Sequence, residues 1–459
     1  MRPRHILLFI LCCFVLIGAL VVFGNLHRPL IGDLRCPELT LWKSGEWREE
    51  SREPREDSED ITAPMELADS TGLAEELEME RSQTTDSLRH ATSATQAVTA
   101  PISEGRQRTA LDLFVAGLQE AGTRQVRVVH YGDSQIEEDR ITSTLRSHLQ
   151  AQYGGRGPGL LPLVQTIPTR TVIQTLLVNG QRVTSKNGPK RWFVYGPKAQ
   201  QRDSSDSYGV MGQVAVLDSL CDSVTVHIEP YGKLTNANYF SQIRVFATDN
   251  ILVNGSTQHQ GALRDTLTRL DIDLSGTGEV YGLSLESPTG VIVDNIPMRG
   301  GSGNVFTKIN RQQLTSFFSQ TNTRLIILQF GGNVMPWANT EERIRSYAHS
   351  MRKQIHYLRE CAPDASILFI GPSDMLTVVD GEKTSYPTIA YMDQQLARIA
   401  ASEGIAYWSL FQSMGGAGSM QQWQDKGLAS SDGVHFYRSG ANKAGELLWS
   451  WLKREIEEQ

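Results

Sequence analysis

The sequence predicts an α/β protein: a parallel sheet with helices on both faces, interrupted by an inserted β-sandwich and preceded by a transmembrane helix. Three observations lead there. Apolar strand-like runs alternate with helix-like periods near Val126 and again from Thr323 to the C-terminus. Between them, over 166–285, helical periodicity gives way to period-two alternation. Ahead of both, an unbroken apolar run from Ile6 to Phe23 follows Met1-Arg2-Pro3-Arg4-His5.

The run from Ile6 to Phe23 approaches the ~20 residues that span a bilayer and is long for the core of a signal peptide. Residues 1–28 therefore read as an uncleaved anchor, although Val22 and Gly24 are small enough for a cleavage site. Arg2 and Arg4 place the N-terminus in the cytosol and everything after Asn25 outside. Residues 29–108 read as a disordered extracytoplasmic tether. The stretches "KSGEWREESREPREDSEDITAP" and "DSLRHATSATQAVTAP" within it carry too little apolar surface to offset the entropy of ordering. A formal net charge of −7 provides no basic footprint, which excludes nucleic acid as an expected partner. Cys12 and Cys13 lie in the apolar run, while Cys36, Cys221 and Cys361 are odd in number and widely separated. That pattern excludes a disulfide framework and zinc-ligand spacing, leaving buried free thiols with at most one bridge.

Residues 109–165 and 286–459 form the α/β part. Val126, Val128 and Val129 read as a buried strand, Gly132 breaks it, and a helical period then runs through Leu145 and Leu149. "TRLIILQFGGN" is a strand of the kind buried on both faces, and the helix after it lines up Ile344, Tyr347, Met351, Ile355 and Leu358. "ASILFIGPSDM", the helix "AYMDQQLARIAASEG", the short strand "IAYWSLF" and a last helix from about Ser439 to Ile456 complete the alternation. In the insertion, "DSVTVHIEPYG" alternates Val224, Val226 and Ile228, and "SQIRVFATD" and "RLDIDLSGTGEVYGLSLES" do likewise, the pattern of a sandwich. An insertion at a surface loop is expected to leave the host fold intact.

Chemistry concentrates at strand ends. Ser134 follows the first strand in "YGDSQIEED", where two roles are open to it. Ser134 and Glu137 have the spacing of a capping box, yet strand, tight turn, serine and helix is also how a nucleophile is held exposed at the edge of a parallel sheet. Near the C-terminus, "DGVH" lets one loop present Asp432 and His435 together: an imidazole to take a proton and a carboxylate to orient it, which a serine hydroxyl requires. Ser439 is placed to cap the helix that follows. Asn333, after "LQFGGN", and Gly300 or Gly301, in "MRGGSG", supply the side-chain amide and backbone N–H that stabilise an oxyanion. His130, Asp133, Asp294 and Asp374 read as structural, and a metal site from His130, Asp432 and His435 lacks third-ligand spacing.

In the order Ser, Gly, Asn, Asp-x-x-His, these elements resemble the SGNH (GDSL-like) hydrolase superfamily: "YGDSQ" is similar to its first block, "RGG" its second, "GGN" its third and "DGVH" its fifth. The resemblance implies a three-layer α/β/α, flavodoxin-like domain. It makes Ser134 the nucleophile, His435 the base, Asp432 its orienting carboxylate, and Ser134, Gly300 and Asn333 the oxyanion hole. Gln135 departs from the family pattern, which has leucine after the serine. The inserted β region and the "SLFQSMGGAGSMQQWQDKGLASSDGVHF" segment resemble, more narrowly, peptidoglycan O-acetylesterases carrying a carbohydrate-binding-module-like domain. That implies an esterase anchored in a bacterial inner membrane with its catalytic domain in the periplasm, removing O-acetyl groups from an acetylated glycan without a cofactor. Trp408 and Trp423 are then expected to line a sugar site. An O-acetyltransferase, a lipase or thioesterase, or a non-catalytic glycan-binding protein are the alternatives.

Overall fold

Five strands pair in parallel to form a central sheet in the computed structural model, which describes residues 109–458 apart from 166, 168, 184–187, 197–200 and 202–207. They are β1 (Gln125–Gly132), β2 (Gly290–Pro297), β3 (Thr323–Gln329), β4 (Ser366–Ile370) and β5 (Ala406–Trp408), in the order β2-β1-β3-β4-β5. The anchor and tether expected in the sequence lie outside the described residues. Among the described residues no helix is long and apolar enough to cross a membrane.

The helices are α1 (Asp112–Leu118), α2 (Thr142–Tyr153), α3 (Arg311–Gln320), α4 (Glu341–Cys361), α5 (Ile389–Glu403), α6 (Leu410–Met414), α7 (Ser419–Asp425) and α8 (Arg438–Glu457). They cover both faces of the sheet, which is why β1 is buried throughout, including its polar residues Arg127 and His130. On one face, Val129, Tyr131, Ile326, Leu328 and Phe369 pack with α3, α4 and α5; on the other, Val126, Val128, Leu325, Ile327 and Leu368 pack with α1, α2 and α8. The stripe Ile344, Tyr347, Met351, Ile355 and Leu358 of α4 is buried against the sheet. Cys221 and Cys361 are free and buried.

Strands between 159 and 286 form two antiparallel sheets. One runs 260–267, 240–247, 278–286, 213–217, 190–193, with 159–161 also pairing to 278–286; the other runs 181–182, 172–178, 223–230, 270–275, 252–253. Their inward residues share one core, with Val224, Val226, Ile228 and Ile272 from one sheet meeting Phe240, Val245, Leu283 and Leu285 from the other.

The host sheet and helices are complete around this region, which nevertheless packs into the host core. Val194, Tyr208, Val210 and Met211 are buried in the same core as Met298, Phe306 and Phe317 of the α/β part. The Tyr131 hydroxyl donates to the Val210 carbonyl at 3.0 Å, and the Gly209 N–H to Gln313 Oε1 at 3.1 Å. Removing 166–285 would uncover apolar surface of the host, so a deletion tests folding before it tests recognition.

Candidate active site

The strand register sets one rank of paired residues, Pro297–Gly132–Gln329–Ile370–Trp408, at the carboxyl edge of the sheet. In this strand order the crevice between β1 and β3 is where ligands bind. Ser134 follows β1 there, and Asn333 sits in the turn Gly332–Val334 after β3.

The cap that Ser134 could have supplied is provided by its neighbour. The turn Ser134–Asp139 is capped by Asp133, whose Oδ1 accepts from the Gln135 N–H at 3.0 Å. Burial pushes the Asp133 carboxyl up to about 6. Relieved of capping, the Ser134 hydroxyl lies 2.8 Å from His435 Nε2, and His435 Nδ1 lies 2.7 Å from Asp432 Oδ2. The other Asp432 oxygen accepts the N–H groups of Val434 and His435 at 2.8 and 3.0 Å. Burial works to raise the Asp432 pKa, but the His435 side chain and these two N–H groups outweigh it and hold the carboxyl below its usual range. An ionised Asp432 fixes the imidazole with Nδ1–H toward the carboxylate and Nε2 open to the serine proton.

The loop carrying Asp432 and His435 depends on Gly433. It has φ +74, and a Cβ there would lie 2.7 Å from the Leu376 Cβ. Its carbonyl accepts from the Leu376 N–H at 2.9 Å. Gln135 ties the same loop to the nucleophile turn, with Nε2 donating to the Val434 carbonyl at 2.5 Å. The departure from leucine at this position therefore has a local purpose: its amide reaches across the sheet edge to the residue before the histidine.

The two candidate glycines differ in their hydrogen bonds. The Gly301 N–H donates to the Met298 carbonyl at 2.8 Å, and its carbonyl accepts from Asn333 Nδ2 at 3.2 Å. Gly301 is thus occupied, and Gly300, at φ +73, is the residue left to offer its N–H. The Ser134 N–H belongs to the first turn of a helical segment, where donors lack intrahelical acceptors.

The helical period expected after Ser134 is broken. Glu138, Asp139 and Ile141 all have positive φ, at 59°, 66° and 58°, and α2 begins only at Thr142. A β-branched residue there is an outlier of the kind that tertiary contacts must impose. The Asp139 carboxylate is pinned by Arg146 and by the Thr171 hydroxyl at 2.6 Å. Glu137, expected as half of a capping box, instead receives both Arg299 Nε and Nη2, at 2.6 and 2.7 Å. Since Arg299 precedes Gly300, this fork ties the Gly300–Gly301 loop to the Ser134 turn. Arg299→Ala is expected to lower kcat by up to about a hundredfold at nearly unchanged KM, the scale of small misplacements at a reacting centre. Arg299→Lys should restore only part, because it keeps the charge and loses the fork. A raised KM at unchanged kcat would make Arg299 a substrate contact instead.

Trp408 and Trp423 require correction as sugar-site residues. They are 5% and 3% exposed and pack in the core, Trp423 at 5.0 Å from the Phe436 ring, so neither has a face for a sugar. Ser439 does not cap α8; its hydroxyl donates to the Gly427 carbonyl at 3.0 Å, and the cap position is Tyr437. His130 points away from Asp432 and His435, with its ring nitrogens toward Gln329 at 3.1 Å and Thr142 at 2.9 Å, and burial lowers its pKa to about 3. Asp294 faces Arg127, and Asp374 accepts from Ser385 and from the Met420 N–H, each at 2.9 Å. Among the described residues no group of three or more His, Cys, Asp and Glu is arranged to hold a metal ion. The sequence reading missed Arg299 and assigned no task to Gln135. The signal for Arg299 was its place immediately before the glycine pair.

No family model and no curated protein matches the chain. Among solved structures, a peptidoglycan O-acetylesterase superposes with a TM-score of 0.58 at 21% identity, over 76% of this chain and 97% of that one. The chain shares its fold. The α/β architecture expected from the sequence is thus shared with a solved structure. An acetyl xylan esterase, AlAXEase, aligns at 12% identity over 35% of this chain and 81% of its own, with a TM-score of 0.28. Est24, a carbohydrate acetylesterase from Sinorhizobium meliloti, aligns at 13% over 36% and 79%, with a TM-score of 0.26. Likenesses that slight carry no argument.

Proposed function

We propose that this protein is a serine esterase that removes O-acetyl groups from a cell-envelope glycan, with peptidoglycan as the foremost candidate. The observation that carries the reading is the Ser134–His435–Asp432 relay at 2.8 and 2.7 Å on the carboxyl edge of a parallel sheet. Ser134 Oγ attacks the acetyl carbonyl as His435 Nε2 takes its proton, and the oxyanion faces the N–H groups of Ser134 and Gly300 and the Asn333 amide. Collapse breaks the bond to the sugar oxygen, which leaves with the proton from His435. Water, deprotonated by His435, attacks the acetyl-serine, and acetate departs as Ser134 recovers its proton. The shared fold with a peptidoglycan O-acetylesterase supports the glycan part of the reading. Anchoring through residues 6–23, with this site on the periplasmic side of a bacterial inner membrane, places the enzyme beside that polymer.

The test is acetate release from O-acetylated peptidoglycan, with O-acetylated xylan in parallel and labelling of Ser134 by a fluorophosphonate probe. Release with labelling supports the reading. Absence of both sinks it, and labelling with release only from xylan replaces the substrate.

A further inference from the structure

The strand 190–193 is the edge strand of its sheet and continues into Tyr195 beside the candidate active site. The Tyr195 hydroxyl lies 3.5 Å from the Pro297 carbonyl, at the end of β2, three residues before Gly300. Pro297 pairs with Gly132, two residues before Ser134, so this contact sets the ring at the edge that carries the Ser134 turn. Side chains on one face of a strand recur every second residue. Arg191, Phe193 and Tyr195 accordingly form a ladder: the Arg191 guanidinium sits 5.4 Å over the Phe193 ring, and Phe193 meets Tyr195 edge to face at 5.5 Å. All three are partly exposed. Tyr195 packs against the core, whereas Phe193 belongs to no core cluster, so its apolar surface is not committed to the interior.

Arg191 pairs with no carboxylate among the described residues. A guanidinium layered on an aromatic ring is held by its face, which leaves its N–H edge pre-oriented for a planar anion. A carboxylate fills that fork with two charge-assisted hydrogen bonds. Aromatic rings next to such a fork suit the apolar face of a pyranose.

We infer that Arg191, Phe193 and Tyr195 form a subsite for a sugar bearing a carboxylate, positioned to hold an anionic glycan strand across Ser134. The inference rests on the acetylesterase reading and adds a substrate class to it, acidic over neutral polymer. The charge of the site selects the strand, and the ladder sets the distance from the bound unit to the nucleophile.

The experiment uses the ratio of kcat/KM on O-acetylated peptidoglycan to kcat/KM on an aryl acetate, in wild type, Arg191→Gln, Arg191→Lys and Phe193→Ala. Arg191→Gln and Phe193→Ala are each expected to lower the ratio about tenfold, with Arg191→Lys intermediate. On neutral O-acetylated xylan, Phe193→Ala should lower the corresponding ratio and Arg191→Gln should not. Unchanged ratios in all variants overturn the subsite, and an equal loss on xylan from Arg191→Gln overturns its preference for anions. Co-sedimentation of the Ser134→Ala protein with insoluble peptidoglycan, with and without Arg191→Gln, reads the subsite without catalysis. A wild type that releases no acetate but sediments in an Arg191-dependent way fails the esterase reading and retains the subsite; sedimentation independent of Arg191 overturns it.

Discussion

Ser134→Ala is expected to reduce acetate release by about five orders of magnitude while the protein remains folded with nearly unchanged stability. The structure separates the two effects. A capping serine replaced by alanine costs about 1 kcal/mol and up to about 2. Here the cap belongs to Asp133, so Ser134→Ala loses only a hydrogen bond to His435, worth about 1 kcal/mol. His435→Ala should be as damaging to turnover as Ser134→Ala, and the double variant no worse than either, because the two act as one unit. Asp432→Asn should be milder in turnover. Its amide still fills the loop, but it no longer stabilises an imidazolium or enforces the tautomer. Steady-state acetate release and chemical denaturation on the same preparations check both halves. Activity surviving in Ser134→Ala would remove the nucleophile role, and a large stability loss in that variant would mean the hydroxyl does work that the Asp133 cap does not explain.

The parts legible in the sequence are those where local pattern and tertiary demand agree. β1, β3 and β4 are buried on both faces, so they are rich in apolar residues on both, with Arg127 and His130 of β1 as buried polar exceptions, and short apolar runs ended by glycine or proline announce them. Asp432 and His435 are legible together because one short loop delivers both. The nucleophile turn is not legible in detail. Glu137-Glu138-Asp139 has the composition of a helix start, yet Arg299, Arg146 and Thr171 capture two of these carboxylates and force the backbone through positive φ. Those partners come from distant segments, and no window of sequence contains them. Trp408 and Trp423 show the converse limit: an indole satisfies a core and a sugar platform equally well, and only burial decides. The hairpin Leu376–Val379 with Glu382–Ser385 carries its own signal, Asp380-Gly381, both at positive φ as a two-residue turn requires. It passed unread because Leu376 alone of the first strand is buried while Val378 and Val379 are exposed, so no alternation develops. The contact of Val194, Tyr208, Val210 and Met211 with the host core escaped for the same reason as the Ser134 turn, since partners such as Tyr131 and Phe317 lie on β1 and α3.

The largest stability effect is expected at Arg127, which is fully buried where β1 passes under the antiparallel sheets. Its Nη1 contacts both Asp294 oxygens at 3.3 and 3.2 Å, its Nη2 donates to the Ser284 hydroxyl at 3.1 Å, and it pairs with Glu286. Arg244 supports Glu286 from the other side at 3.2 Å. Burial alone would raise Glu286, but Arg127 and Arg244 outweigh it and hold the carboxyl at about 2. Asp294 responds oppositely: burial pushes its carboxyl up even with Arg127 beside it. Arg127→Ala removes the cation, strands the buried Asp294 carboxylate and leaves Glu286 with Arg244 alone, a loss of about 3–5 kcal/mol. The pH dependence follows from Glu286. Its folded pKa is depressed, so its contribution to stability is complete above the ordinary carboxyl range and is lost as pH falls through about 2. The gap between wild type and Arg127→Ala should therefore be widest near neutral pH and narrow in acid, where the stranded carboxylates take up protons. Arg127→Met combined with Glu286→Gln and Asp294→Asn should recover much of the stability, because what the single variant leaves behind is unpaired charge more than lost packing. Urea denaturation at pH 7 and pH 4 measures this. A single-variant loss under about 1 kcal/mol at pH 7, or a gap that widens in acid, would place the stabilising weight elsewhere. The site is coupled to this cluster through β2, which carries Asp294 and ends at Pro297, so a partly unfolded variant should lose Gly300 from the oxyanion loop before it loses the Asp432–His435 loop, which is anchored to Leu376 and Gln135 instead.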